Sequence, residues 1–200
     1  MHIYLIRHTT PAVEKGTCYG QTDLDVTETF AAEVSGILPY ISDTIESVYS
    51  SPLQRCKKLA HALFPDKEII TDSDLMELNC GTWEMQLWND IPKAEMEPWQ
   101  EDFINVIVPA GESYLQLYNR VVHCFENIRS KGKTAAIVAH GGVLRSIVAY
   151  LTQTPLKESF DLFSFNYGCV VKLHVDSDPF THELIYNVSQ GGKEWHRPTL

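Results

Sequence analysis

The chain opens on MHIYLI, a β-branched and aromatic run that stops at the polar cluster Arg7-His8-Thr9-Thr10-Pro11. That pattern predicts a buried strand over residues 2–7 delivering its last side chains at the carboxyl end. Thr27 is a candidate N-cap for a helix reaching about Leu38, halted at Pro39, and residues 45–49 read as a second strand. Ser51 as cap and Pro52 at the first helical position open the next helix, whose stripe is Leu53, Cys56, Leu59, Ala60 and Leu63, with Arg55 off that stripe in the first turn. Residues 69–71 form a weak third strand. Residues 89–108, with Pro92, Pro98, Trp99 and many acids, show no single period and are expected to be an irregular cap segment.

Pro109-Ala110-Gly111 breaks the chain before a helix over about 112–130, with Leu115, Val121, Val122, Phe125 and Ile128 on its apolar side. Residues 134–139 make the strongest strand. TAAIVA then ends at His140-Gly141-Gly142 and passes into a helix carrying Leu144, Ile147, Val148 and Leu151, repeating the opening pattern. Residues 168–175 and 182–186 complete the sheet, and 191–200 is expected to be a loosely held tail. Strands alternating with helices imply an α/β fold, a three-layer αβα sandwich around a mostly parallel doubly wound sheet, in one domain spanning 1–200. Sites in such sheets gather at the carboxyl ends of strands, where Arg7, His8 and His140 fall.

Composition narrows the class. An apolar fraction of 44% in 200 residues supports a full core. The first apolar run is far shorter than the roughly 20 residues of a membrane span, and no basic segment precedes it, so a cytoplasmic protein without a membrane partner is expected. Five cysteines, an odd number with no C-x-x-C pair, are expected to be reduced and to bind no zinc. A formal charge of −10 argues against a nucleic-acid partner, so an anionic small molecule would need a local basic pocket.

Arg7-His8 is such a basic feature: a guanidinium and an imidazole at the end of a buried strand invite an anion, although a histidine paired with a carboxylate is the plain alternative. Arg55 alone could be a solvated helix arginine, and His140 alone a core histidine capping the following helix. In order along the chain, LIRHTTP, SSPLQRC, LMELNCGTWE, PAGES and AHGGVLR resemble the histidine phosphatase superfamily, the phosphoglycerate mutase-like proteins. The resemblance spans nearly all of residues 1–175.

The resemblance implies a small phosphate ester as substrate, with His8 as nucleophile, Arg7, Arg55 and His140 holding the phosphoryl oxygens, and Glu77 managing the leaving-group proton, Glu84 being its rival. It places Gly20 and Gln21 at the substrate mouth. A neutral His8 can attack if its other ring nitrogen donates to an acceptor, for which a backbone carbonyl is expected. Two arginines and a protonated His140 would supply the charge that other phosphoryl-transfer enzymes take from Mg²⁺, and no H-x-x-x-H or D-x-D set offers a metal site, so no cofactor is expected. Gly141-Gly142 would let backbone approach a ligand. Trp83, Trp88 and Trp99 are read as packing residues.

Thr9 replaces the glycine of the commoner R-H-G form. The stretch RHTTPAVEKGTCYGQTDLDV resembles the opening of α-ribazole-5′-phosphate phosphatases, which act in assembling the cobalamin nucleotide loop. The chain lacks the insertions of the longer phosphoglycerate mutases, so hydrolysis is favoured over transfer. A broad-specificity phosphatase for sugar phosphates and other small esters is the alternative, and a non-enzymatic phosphate-binding module the remote one. Oligomeric state is not readable.

Overall fold

A computed structural model describes residues 1–176 and 180–188, so the tail expected at 191–200 lies outside the described residues. Six strands form one sheet: β1 (His2–Arg7), β2 (Ser47–Ser50), β3 (Ile69–Thr71), β4 (Ala135–Ala139), β5 (Val170–His174) and β6 (Thr181–Tyr186), in the order β3-β2-β4-β1-β5-β6. The first four are mutually parallel, and β5 and β6 add antiparallel edges. The alternation of β1 sets the layers. Ile3 and Leu5 face α4 (Tyr114–Arg129) and α5 (Gly141–Thr152), whereas Tyr4 and Ile6 face α1 (Phe30–Ile37) and α2 (Gln54–Leu63). Each fully buried aliphatic side chain here contributes about 1.5–3 kcal/mol of transfer free energy.

Several boundaries differ from the expectations for physical reasons. The helix α2 begins at Gln54, not at Ser51-Pro52: Leu53 occupies the N-cap in an extended conformation, and Asp23, from a distant loop, accepts the Gln54 N–H at 2.6 Å. All five residues of the expected α2 stripe are buried, and so is Arg55. On α4 the buried positions are Tyr114, Leu117, Val121, Cys124, Phe125 and Ile128, while Leu115 is exposed. The helix starts at a capping box made by Ser113 and Gln116.

The cap segment is not irregular throughout. It contains α3 (Lys93–Glu101), with Pro98 inside it, ending in a bond from the Asp102 N–H to Pro98 O. Its periodicity is hidden because the helix buries only Met96, against a satellite cluster of Cys18, Cys80, Trp83, Ile91 and Val108 with Trp88 and Trp99 packed on it. The sixth helix, α6 (Ser159–Leu162), is a single turn.

β1 and β4 are neighbours in register, Arg7 beside Ala139, yet α1 and α5 that follow them lie on opposite faces. A crevice opens where the chain diverges in this way, at the carboxyl ends of both strands.

Candidate active site

His8 lies at the mouth of that crevice, its N–H bonded to Ala139 O at 2.9 Å and its carbonyl accepting the Gly168 N–H at 3.1 Å. It is fully buried by protein, and its Nδ1 lies 2.7 Å from Thr9 O. A carbonyl only accepts, so Nδ1 carries a hydrogen, and in the neutral ring Nε2 is the nitrogen with the lone pair. The acceptor expected for this ring is therefore a backbone carbonyl, that of the next residue. The His140 ring stands edge-on to it with centroids 5.1 Å apart, and Tyr167 flanks it at 5.4 Å.

Arg7 donates from Nη1 to Phe165 O at 2.5 Å and lies 4.1 Å over the Tyr167 ring. Arg55 is wholly buried: Nη1 donates to Thr22 O at 2.8 Å, and Nη2 to Gly20 O at 2.6 Å and towards His140 Nδ1 at 3.2 Å. With Nδ1 accepting, His140 Nε2–H donates to Ser51 Oγ at 2.8 Å. Burial first, then the charges of Arg55, His8 and Arg7, push the His140 pKa well below its ordinary value. The protonated His140 expected from the sequence is thus a neutral imidazole in the free protein. Cys56, 3.5 Å from His140 Nε2, is a thiol that burial raises to about 12.

Glu77 faces the same crevice. Its carboxylate accepts the Gly142 N–H at 3.1 Å and its own neighbour Leu78 N–H at 3.0 Å. Arg120 of α4 grips the loop that carries it, donating to the carbonyls of Asp74, Met76 and Glu77 while pairing with Glu112. A Cβ on Gly142 would sit 2.3 Å from Glu77 Oε1, and one on Gly141 would sit 3.2 Å from the Arg7 guanidinium carbon. The paired glycines therefore admit protein groups, Glu77 and Arg7, at the N-terminus of α5.

Glu84 is turned away to another task. It accepts from the N–H groups of Gly20, Gln21, Thr22 and Cys80 and from Thr22 Oγ1, at 2.5–3.3 Å. Gly20 and Gln21, expected at the substrate mouth, are spent on this support: Gln21 Nε2 donates to Glu77 O, and a Cβ on Gly20 would lie 1.7 Å from Leu78 O. Arg7, His8, Glu77 and Gly141 line a cavity of about 370 Å³, and Arg55, His140, Gly20 and Gln21 are not among its lining residues.

Trp88 and Trp99, read from the sequence as packing, line the cavity together with Phe103, Tyr114, Phe160 and Phe165. Trp83 is packing only, fully buried with Nε1–H donated to Glu95 at 2.7 Å, whereas Trp88 and Trp99 pack on the satellite cluster and line the cavity as well. Sequence reasoning also missed Ser51 as the partner of His140, and Tyr19 and Tyr167, whose hydroxyls meet at 2.6 Å beside Arg7 and His8. Tyr19 is held well above its ordinary pKa by burial. Arg145, an arginine within the apolar stretch of α5, was a visible anomaly; it binds the carbonyls of Ser159 and Phe163. No cluster of potential metal ligands occurs among the described residues.

A buried histidine with arginine guanidiniums beside it suits an anionic ligand. The family model of the histidine phosphatase superfamily (branch 1) matches residues 3–188, and the chain belongs to that superfamily as a phosphatase. A metal-independent phosphoserine phosphatase of Arabidopsis thaliana is 31% identical over 76% of this chain and 68% of its own length. Phosphoserine phosphatase 1 of Hydrogenobacter thermophilus is 25% identical over 84% and 81%. The crystal structure of the α-ribazole phosphatase from Shigella flexneri shares the fold with a TM-score of 0.81 at 22% identity, covering 92% of this chain and 95% of that one.

Proposed function

We propose that the protein hydrolyses a phosphomonoester through a phosphohistidine at His8 without a metal, and that its substrate is α-ribazole-5′-phosphate. The observation that supports the mechanism is the His8 ring itself: Nδ1–H tied to Thr9 O selects the tautomer whose nucleophilic nitrogen is Nε2, with the His140 ring edge-on to it. Nε2 attacks phosphorus as the ester P–O bond breaks, and Glu77 delivers a proton to the departing alkoxide. In the second step Glu77 takes a proton from water, whose oxygen attacks phosphorus and returns the electron pair to Nε2.

Charge spreads over three equatorial oxygens in each step, and the guanidiniums of Arg7 and Arg55 supply fixed compensation. Their loop and strand anchors hold them in place before substrate arrives. His140 is kept neutral in the free protein by burial first and then by the charges beside it. Gly142 N–H aims Glu77, and Gly141 gives Arg7 room, so both glycines act through the groups they admit.

The substrate reading is supported by the cavity walls. The space beside Glu77 is lined by Trp88, Trp99, Phe103, Tyr114, Phe160 and Phe165, a set of rings that suits a flat nucleoside, with Arg145, Lys157 and Asp161 as charged groups on the same wall. The opening sequence RHTTPAVEKGTCYGQTDLDV points the same way. The test is kcat/KM for α-ribazole-5′-phosphate, phosphoserine, 3-phosphoglycerate and glucose 6-phosphate, with a chelator present. A preference above about a hundredfold for the nucleotide, roughly 2.7 kcal/mol, supports the substrate reading. A preference for phosphoserine overturns it.

A further inference from the structure

The cap segment turns back beside the loop that follows His8, and it does so by strand-like pairing. Cys18 N–H bonds Gln86 O, Met85 N–H bonds Cys18 O, and Trp88 N–H bonds Gly16 O at 2.9 Å. Met85 takes the left-handed conformation at φ 67°, which swings the chain so that Trp88 arrives at the cavity. Trp88 and Trp99 are stacked, 6.0 Å apart and 25° from parallel, and the buried Trp83 meets both edge-on at 6.4 and 5.7 Å. A centroid spacing of 6.0 Å leaves no room for a third ring between the two. Both indoles lie on the cavity wall, and the Trp99 ring also meets Phe103 at 6.1 Å, which in turn meets Phe160 edge-on at 4.8 Å.

The opposite element, α6, presents Phe160. Arg145 fixes it from behind, its guanidinium carbon 4.4 Å over the ring while its Nη1 holds the Ser159 and Phe163 carbonyls. Indole and phenyl are thus each braced by a second group and both lie on the cavity wall with Glu77 and His8. Rigid aromatic planes left half-buried at an open cavity are costly unless a ligand covers them, and two-angle side chains lose little entropy on contact.

We infer that the stacked Trp88–Trp99 pair and Phe160 form a stacking subsite for a bicyclic heteroaromatic leaving group, and that this subsite sets the enzyme's choice among phosphate esters. The inference deepens the reading of the substrate as an aromatic nucleotide and rests on it. Arg145 is a positioning residue that acts through Phe160.

The experiment compares wild type, Trp88→Leu and Trp88→Phe on α-ribazole-5′-phosphate, 1-naphthyl phosphate and phosphoserine, and measures binding of free 5,6-dimethylbenzimidazole riboside by calorimetry. Trp88→Leu keeps an apolar side chain but removes the plane, so the ratio of kcat/KM for aromatic over aliphatic esters is expected to fall about ten- to a hundredfold, carried by KM, with riboside affinity falling in parallel. Trp88→Phe is expected to keep most of both. Equal loss on all three esters, or an unchanged ratio, overturns the subsite. If wild type prefers 1-naphthyl phosphate in a Trp88-dependent way but not the ribazole ester, the subsite stands and the ribazole reading falls.

Discussion

Replacing Glu84 by alanine removes the acceptor that four backbone N–H groups and the Thr22 hydroxyl share, at distances from 2.5 Å for Thr22 Oγ1 to 3.3 Å for Cys80 N. Hydrogen bonds to a charged group contribute about 1.5–3 kcal/mol each. The site is only half-buried, so water takes over part of the set. Counting just the two shortest bonds, from Thr22 Oγ1 and Gln21 N, gives a loss of about 3 kcal/mol, or about 6–12 °C in Tm for a chain of this size. The loss reaches the site as well, because Gly20 O and Thr22 O of the same loop hold the Arg55 guanidinium. Urea denaturation gives the stability change, and competitive inhibition by inorganic phosphate reads Arg55. We expect both to weaken in Glu84→Ala, with Glu84→Gln intermediate because one carbonyl oxygen remains. A stability loss below about 1 kcal/mol together with unchanged phosphate inhibition refutes the reasoning.

Other outcomes follow from the same geometry. In Gly142→Ala the new Cβ would lie 2.3 Å from Glu77 Oε1, so kcat should fall at least about tenfold while phosphate inhibition is retained; an unchanged kcat counts against Glu77 as the proton carrier. The buried neutral His140 makes the unfolded chain the better proton binder below the ordinary histidine value of about 6.5. Its contribution to stability is therefore intact above that pH and declines as pH falls towards the depressed folded value, by about 1.4 kcal/mol per unit, and His140→Asn should flatten that part of the stability profile. Activity should persist after exhaustive chelation; loss of activity restored by one divalent ion contradicts the arginine-based mechanism.

What the sequence made legible was the local part of the problem. MHIYLI gave the bounds of β1 because a strand buried on both faces admits only apolar residues and ends where polarity begins. Arg7, His8, Glu77 and Gly141 reach one cavity because they sit at strand ends or beside them. What escaped depends on partners far along the chain. Ser51 looked like a cap for α2, but Asp23 does that work and Ser51 Oγ serves His140, 89 positions away. Gly20 and Gln21 looked like ligand contacts because nothing local reveals that Glu84, more than sixty residues on, consumes their N–H groups. The protonation of His140 could not be read from composition either, since burial beside two guanidiniums decides it. Trp88 and Trp99 were read as core because aromatic residues usually are, and only the fold of the cap shows that they line a cavity.

The central claim is a covalent phosphoryl group on His8 Nε2. It is tested most directly by turning over ³²P-labelled ester, quenching rapidly in alkali, and mapping the labelled peptide. The account predicts acid-labile, alkali-stable label in the peptide that contains His8, absent from His8→Ala. Label on another residue, or no covalent label at any time through several turnovers, contradicts it.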